Sequence, residues 1–149
     1  MKIIEIATAE IGTKEDPPDS NKTKYGKWFG YDGVRWCATF VSWVYFHAGF
    51  PLGKIGYSKG FAGCQTAIEH FRKTGEITTT PQPGDIVLFD WQGDKRFDHT
   101  GIFVNQINSK YFESIEGNTS FSNQSNGGEV MKRQRAYHNC IFVHPKVLG

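Results

Sequence analysis

The 149-residue chain predicts an α+β domain, with N-terminal helices packed on an antiparallel β-sheet. Three observations carry that expectation. Apolar residues recur at helical spacing as far as residue 73, then follow strand patterns from residue 85 onward. Helix signals precede strand signals instead of interleaving with them, which favours α+β over a parallel α/β sheet. No repeat, low-complexity tract or linker divides the chain, so residues 1–149 are expected to form a single domain.

Residues 2–12 place Ile3, Ile4, Ala7 and Ile11 on one helical face. The stretch TKEDPPDSNKTKYG breaks that pattern with Pro17, Pro18 and Asn21, and KWFGYDGVR continues the break, so both are expected to be loop. RWCATFVSWVYFHAG, residues 35–49, reads as a helix running to Ala48, stopped by Gly49 with Pro51 beyond. Residues 61–73 align Phe61, Cys64, Ile68 and Phe71 in a further helical stripe. Pro83 and Gly84 supply a turn into a strand at 85–91. HTGIFVNQI, KYFESIEGN, GEVMKRQR and CIFVHP are four more strands, with Gly-, Asn- and Ser-rich loops at 92–97 and 119–127.

Composition narrows the function classes. Hydrophobic residues at 38% and charged residues at 21% are ordinary for a globular domain. A net charge of +2 is too small for a nucleic-acid binder, and the dense basic run KRQR at 132–135 reads as a solvated strand end. No stretch approaches the ~18 uncharged apolar residues of a membrane span. Glu5 and Glu10 interrupt the N-terminal apolar run, so no signal peptide is expected. The chain is therefore expected to be made in the cytoplasm and to act elsewhere only after release or delivery. The three cysteines are too dispersed for a zinc site, and their odd number leaves at least one thiol free.

Cys37 is the thiol with a chemical context. Its helical face, shared with Val41, Val44 and Ala48, fits a core cysteine. Its place in the first helical turn fits a nucleophile, because orphan N–H groups and the positive end of the helix dipole collect there. Neither Arg35 nor Trp36 caps that end well. Cys64, mid-stripe, and Cys140, opening the last strand, read as structural. A thiolate needs a base and proton donor, and His99 at the mouth of a strand stands apart from His47, His70, His138 and His144. Strand alternation puts Phe112, Ser114, Glu116 and Asn118 on one face, where Glu116 or Asn118 can orient an imidazole on the neighbouring strand.

The order Cys37, then His99 opening a strand, then Glu116 and Asn118 ending the next, resembles the CHAP domain, the cysteine- and histidine-dependent amidohydrolase/peptidase family. WCATFVSWV, PQPGDIVLF, DHTGIFV and IEGN carry the resemblance, which covers essentially the whole chain. It implies a papain-like α+β fold that cleaves amide bonds of bacterial peptidoglycan, either as N-acetylmuramoyl-L-alanine amidase or as endopeptidase, with a lysin, autolysin or toxin setting. Cys37 would be the nucleophile, His99 base and then acid, and Glu116 the orienting group with Asn118 assisting. The alternative is a catalytically idle wall-binding module that kept the fold. Cys37 N–H is the expected oxyanion donor, with Tyr25 a candidate second. Trp36 and Trp91 fit a substrate groove or the core. Some CHAP domains carry a calcium loop before the cysteine; here YDGVRWC offers only Asp32, so no cofactor is expected at that loop, with Glu15, Asp16 and Asp19 of EDPPD the other carboxylates to hand. A monomer is expected, with peptidoglycan as partner.

Overall fold

The computed structural model describes residues 1–149. Four helices come first: α1 (Lys2–Ala9), α2 (Lys24–Phe29), α3 (Cys37–His47) and α4 (Cys64–Thr74). Six strands follow: β1 (Ile77–Thr78), β2 (Ile86–Phe89), β3 (His99–Gln106), β4 (Tyr111–Thr119), β5 (Glu129–Ala136) and β6 (Cys140–Val143). They form one sheet in the order β1-β6-β2-β3-β4-β5, with every neighbouring pair antiparallel. No helix is long and apolar enough to cross a membrane.

The α+β architecture is as expected, and the first two helices differ locally. Helix α1 ends at Ala9, burying Ile3 and Ala7 but leaving Ile11 exposed. Helix α2 lies inside the stretch expected to be loop. Its signals are local: Thr23 accepts the Gly26 N–H at 3.1 Å as N-cap, and Gly30 ends it in the left-handed conformation at φ 93°. Six residues are too few to show a periodic stripe, yet Tyr25 and Phe29, four apart, bury the same face.

The sheet has two different faces. Ile86, Leu88, Ile102 and Ile115 point toward the helices and share their main core with Phe40, Val41 and Val44 of α3. Val87, Phe89, Phe103, Phe112 and Phe142 form a smaller cluster on the other face. Two glycines permit the closest approaches. A Cβ on Gly117 would sit 2.7 Å from Phe40 Cβ, so α3 reaches β4 only over a glycine. A Cβ on Gly101 would sit 2.6 Å from Glu116 Cγ, so the glutamate lies across β3 only because that residue lacks a side chain.

The turn ahead of β2 is tied to two other parts of the chain. Buried Asp85 accepts the Gln82 N–H at 2.8 Å, and its other oxygen meets His144 Nδ1 at 2.6 Å near the C-terminus. Tyr45 of α3 donates its hydroxyl to the Gly84 carbonyl. His144 is therefore a structural clasp, and its ring is held above its ordinary pKa by the Gly149 carbonyl and the Asp85 carboxylate.

Candidate active site

Helix α3 begins at Cys37 with Trp36 as N-cap, and no side chain caps that end. Its first-turn N–H groups are thus left for a ligand, as the sequence suggested. Cys37 is buried, close enough to the start of β3 for the Thr100 N–H to help lower its pKa. His99, the first residue of β3, is fully buried. Its Nε2 donates to Glu116 Oε1 at 2.9 Å. Its Nδ1 is buried with no hydrogen-bond partner, and Cys37 lies close enough to the ring to raise its pKa. Cys37, His99 and Glu116 are thereby brought together in the order that nucleophilic thiol chemistry requires.

The charges reinforce one another. The Cys37 thiol is held well below its ordinary pKa, first by a hydrogen bond from Cys64, then by the His99 charge and the Thr100 N–H, which together outweigh burial. Cys64 is displaced the other way, well above an ordinary thiol, by that hydrogen bond and by burial, so it keeps the proton it donates. Burial pulls His99 down, but the Cys37 thiolate and Glu116 raise it to about 9. Burial likewise works against the Glu116 charge, yet Arg135 and His99 hold that carboxyl down to about 2. These shifts all run toward the charged forms: a thiolate, an imidazolium and a carboxylate.

Glu116 is held from every side. Oε1 receives His99 Nε2 and, at 2.5 Å, Arg135 Nη2; Oε2 receives Arg135 Nε at 2.8 Å and the Ser114 hydroxyl. Arg135 is itself buried, lies over the Trp91 and Phe89 rings at 4.7 and 5.5 Å, and reaches Gln124 with Nη1. Its neighbours Lys132 and Gln134 are exposed, as a solvated strand end predicts, but Arg135 corrects that expectation. Removing one partner of a buried pair such as Arg135–Glu116 typically costs about 3–5 kcal/mol, because the other charge is stranded.

Cys64 is the second correction. It opens α4 instead of lying mid-helix, because the helix starts after Gly63 and not at Phe61, and this brings two helix starts and two thiols together. Cys140 keeps a structural place: its thiol faces the Ala136 and His138 carbonyls, and burial pushes it up to about 12.

The remaining candidates divide. Trp91 is half-buried and stacks on His99 with ring centres 5.3 Å apart, at the edge of the site. Trp36 and Tyr25 do not line a groove. They are fully buried, stack on one another at 5.5 Å, and spend their polar atoms on Glu15 and Glu10. The Tyr25 hydroxyl is therefore no oxyanion donor. Asn118 leaves the alternation of β4: a register shift between Glu116 and Thr119 and its own φ of 61° turn its amide away from His99. There it accepts the Gly128 N–H at 3.0 Å and donates to Asn126 at 2.8 Å, closing the base of the 119–127 loop.

Of the carboxylates near the Cys37 loop, Asp32 accepts the Thr23 N–H and Glu15 accepts the Trp36 indole N–H.

Comparison with known proteins agrees with the geometry. The family model described as CHAP domain matches residues 28–118, more than half of the chain and the segment that holds Cys37, His99 and Glu116. Among solved structures, that of a wild-type endolysin, LysIME-EF1, superposes with a TM-score of 0.56 at 12% identity, a likeness of fold. The match takes in 96% of this chain and 62% of the endolysin's length. No curated protein sequence matches the chain.

Proposed function

Since the chain belongs to the CHAP domain family, we propose that it is a peptidoglycan hydrolase that cleaves amide bonds of the wall peptide through Cys37, His99 and Glu116. The observation that carries this is the buried Cys37–His99–Glu116 line at an uncapped helix start. The thiolate attacks the scissile carbonyl, and the oxyanion forms against the Cys37 N–H at the positive end of α3. His99, protonated at the start, delivers its proton to the leaving amine. Neutral His99 then takes a proton from the water that hydrolyses the thioester, and Glu116 stabilises the imidazolium at each stage. The bond to L-alanine at the sugar's lactyl group and a peptide bond within the stem or cross-bridge are both served by these steps. Every group named belongs to one chain, which suits a monomer acting on an extracellular polymer, in the manner of a lysin.

Thiol alkylation separates this enzyme from an idle wall binder. Modification mapped to Cys37 is expected to abolish release of wall fragments, whereas chelation of divalent metal leaves it intact. Hydrolysis that survives full Cys37 modification would rule the mechanism out.

The ion pair also sets a pH dependence. The rate requires Cys37 deprotonated and His99 protonated. It should fall in acid as the depressed thiol gains a proton, and fall in alkali as His99 loses its own near pH 9. Between these limits kcat/KM on soluble stem-peptide fragments should be flat. A rate still climbing through pH 10 would mean an ordinary thiol with no ion pair.

A further inference from the structure

We infer that Arg135 is a positioning residue of this site, a fourth member that fixes the Glu116 carboxylate in place and keeps it charged for His99. The inference rests on the proposed thiol mechanism and adds a residue to it. Arg135 occupies one acceptor position on each Glu116 oxygen, at 2.8 and 2.5 Å, and leaves His99 and Ser114 the others. Such a two-pronged clasp fixes the plane of the carboxylate, hence the direction of the bond to His99 Nε2. The guanidinium is itself fixed by the Trp91 and Phe89 faces and by Gln124. Trp91 also stacks on His99, so one indole braces both the ring that moves the proton and the cation behind its carboxylate. A fully buried glutamate without that cation would be disposed to take up a proton, and a neutral Glu116 could not stabilise the imidazolium.

The first readout follows the thiolate directly and needs no wall substrate. The rate of iodoacetamide modification of Cys37, followed by peptide mass mapping against pH, reports the thiolate–imidazolium pair. Arg135→Gln keeps hydrogen bonding and removes the charge, and is expected to move the acid limb of that profile upward by about one to two pH units. The defect is thus largest in acid and small near pH 8. In a Glu116→Gln background the same substitution should add no further shift, because Arg135 acts through Glu116. Arg135→Lys keeps charge without the fork. It should hold the acid limb near wild type while kcat for wall hydrolysis falls about tenfold at unchanged KM. A folded Arg135→Gln protein whose profile is unmoved, or is lowered equally at every pH, would overturn the inference. So would an Arg135→Lys protein identical to wild type in kcat, which keeps the test decisive if the Gln variant does not fold. A normal alkylation profile shift in a protein that digests no wall would instead count against the proposed substrate and leave Arg135's role standing.

Discussion

Cys37→Ser is expected to lower hydrolysis of purified peptidoglycan by at least about 10³-fold while leaving the fold intact. A serine hydroxyl at that position cannot be brought to its anion by the groups that serve the thiol. The hydrogen bond from Cys64, the His99 charge and the Thr100 N–H favour a sulfur anion whose ordinary pKa is about 8.5, and an alcohol lies far above it. Stability should change by less than about 1 kcal/mol, since serine is small and suits a helix start. The two other cysteines give graded controls. Cys140→Ser should keep full activity, because that thiol lies on the last strand with its proton held by burial. Cys64→Ala removes the hydrogen bond to the Cys37 anion and should raise the pH at which alkylation of Cys37 sets in, with hydrolysis reduced but present. Urea denaturation of each variant separates loss of fold from loss of chemistry.

Glu116→Gln should lower kcat on the order of 10² to 10⁴ with KM little changed. The amide preserves shape and can still accept from His99 Nε2, so the ring stays in place and the loss measures the charge. The folded-state carboxyl is depressed to about 2, below its ordinary range. Its contribution to stability is therefore present above the ordinary glutamate pKa and disappears only as pH falls toward 2. The variant should lose that contribution at neutral pH, and kcat must be read well below its melting temperature. Asn118→Ala should cost about tenfold or less, because its amide holds the 119–127 loop at Asn126 and Gly128 and does not touch His99. The reverse ranking, a nearly silent Glu116→Gln and a crippling Asn118→Ala, would make Asn118 the third member of the site.

These residues show how far the sequence could be read. Cys37, His99 and Glu116 were legible because periodicity places them near a helix start, a strand start and a strand end, and because the motifs around them, in that order, resemble the CHAP domain. Arg135 was hidden within a basic run. Alternation puts it on one face of β5 with Met131 and Arg133, but only the pairing of Glu116 with Met131 shows that this face continues the one bearing Glu116. Cys64 was misplaced because a helical stripe drawn from Phe61 moved it away from the helix start, where the second thiol gains its meaning. Asn118 was assigned by strict alternation, which fails across the register shift, and asparagine is one of the few residues that adopts the left-handed backbone found there. Tyr25 and Trp36 carried no local sign of burial beyond their size; their fate was decided by Phe40 and by the carboxylates of Glu10 and Glu15. The two-residue strand β1 is defined only by its partner β6, so no stretch of sequence could announce it.

The central claim is that this site hydrolyses amide bonds of peptidoglycan, and the chemistry of the ends it leaves tests that most directly. Purified wall would be digested with the wild-type protein and with Cys37→Ser, and the soluble fragments sequenced by mass spectrometry after tagging of new amines and new reducing ends. The wild-type protein should release fragments with new amino termini matched by new carboxyl groups, either lactyl or peptidyl, and no new reducing sugar. Cys37→Ser should release none. New reducing ends, or identical fragments from both proteins, would contradict it.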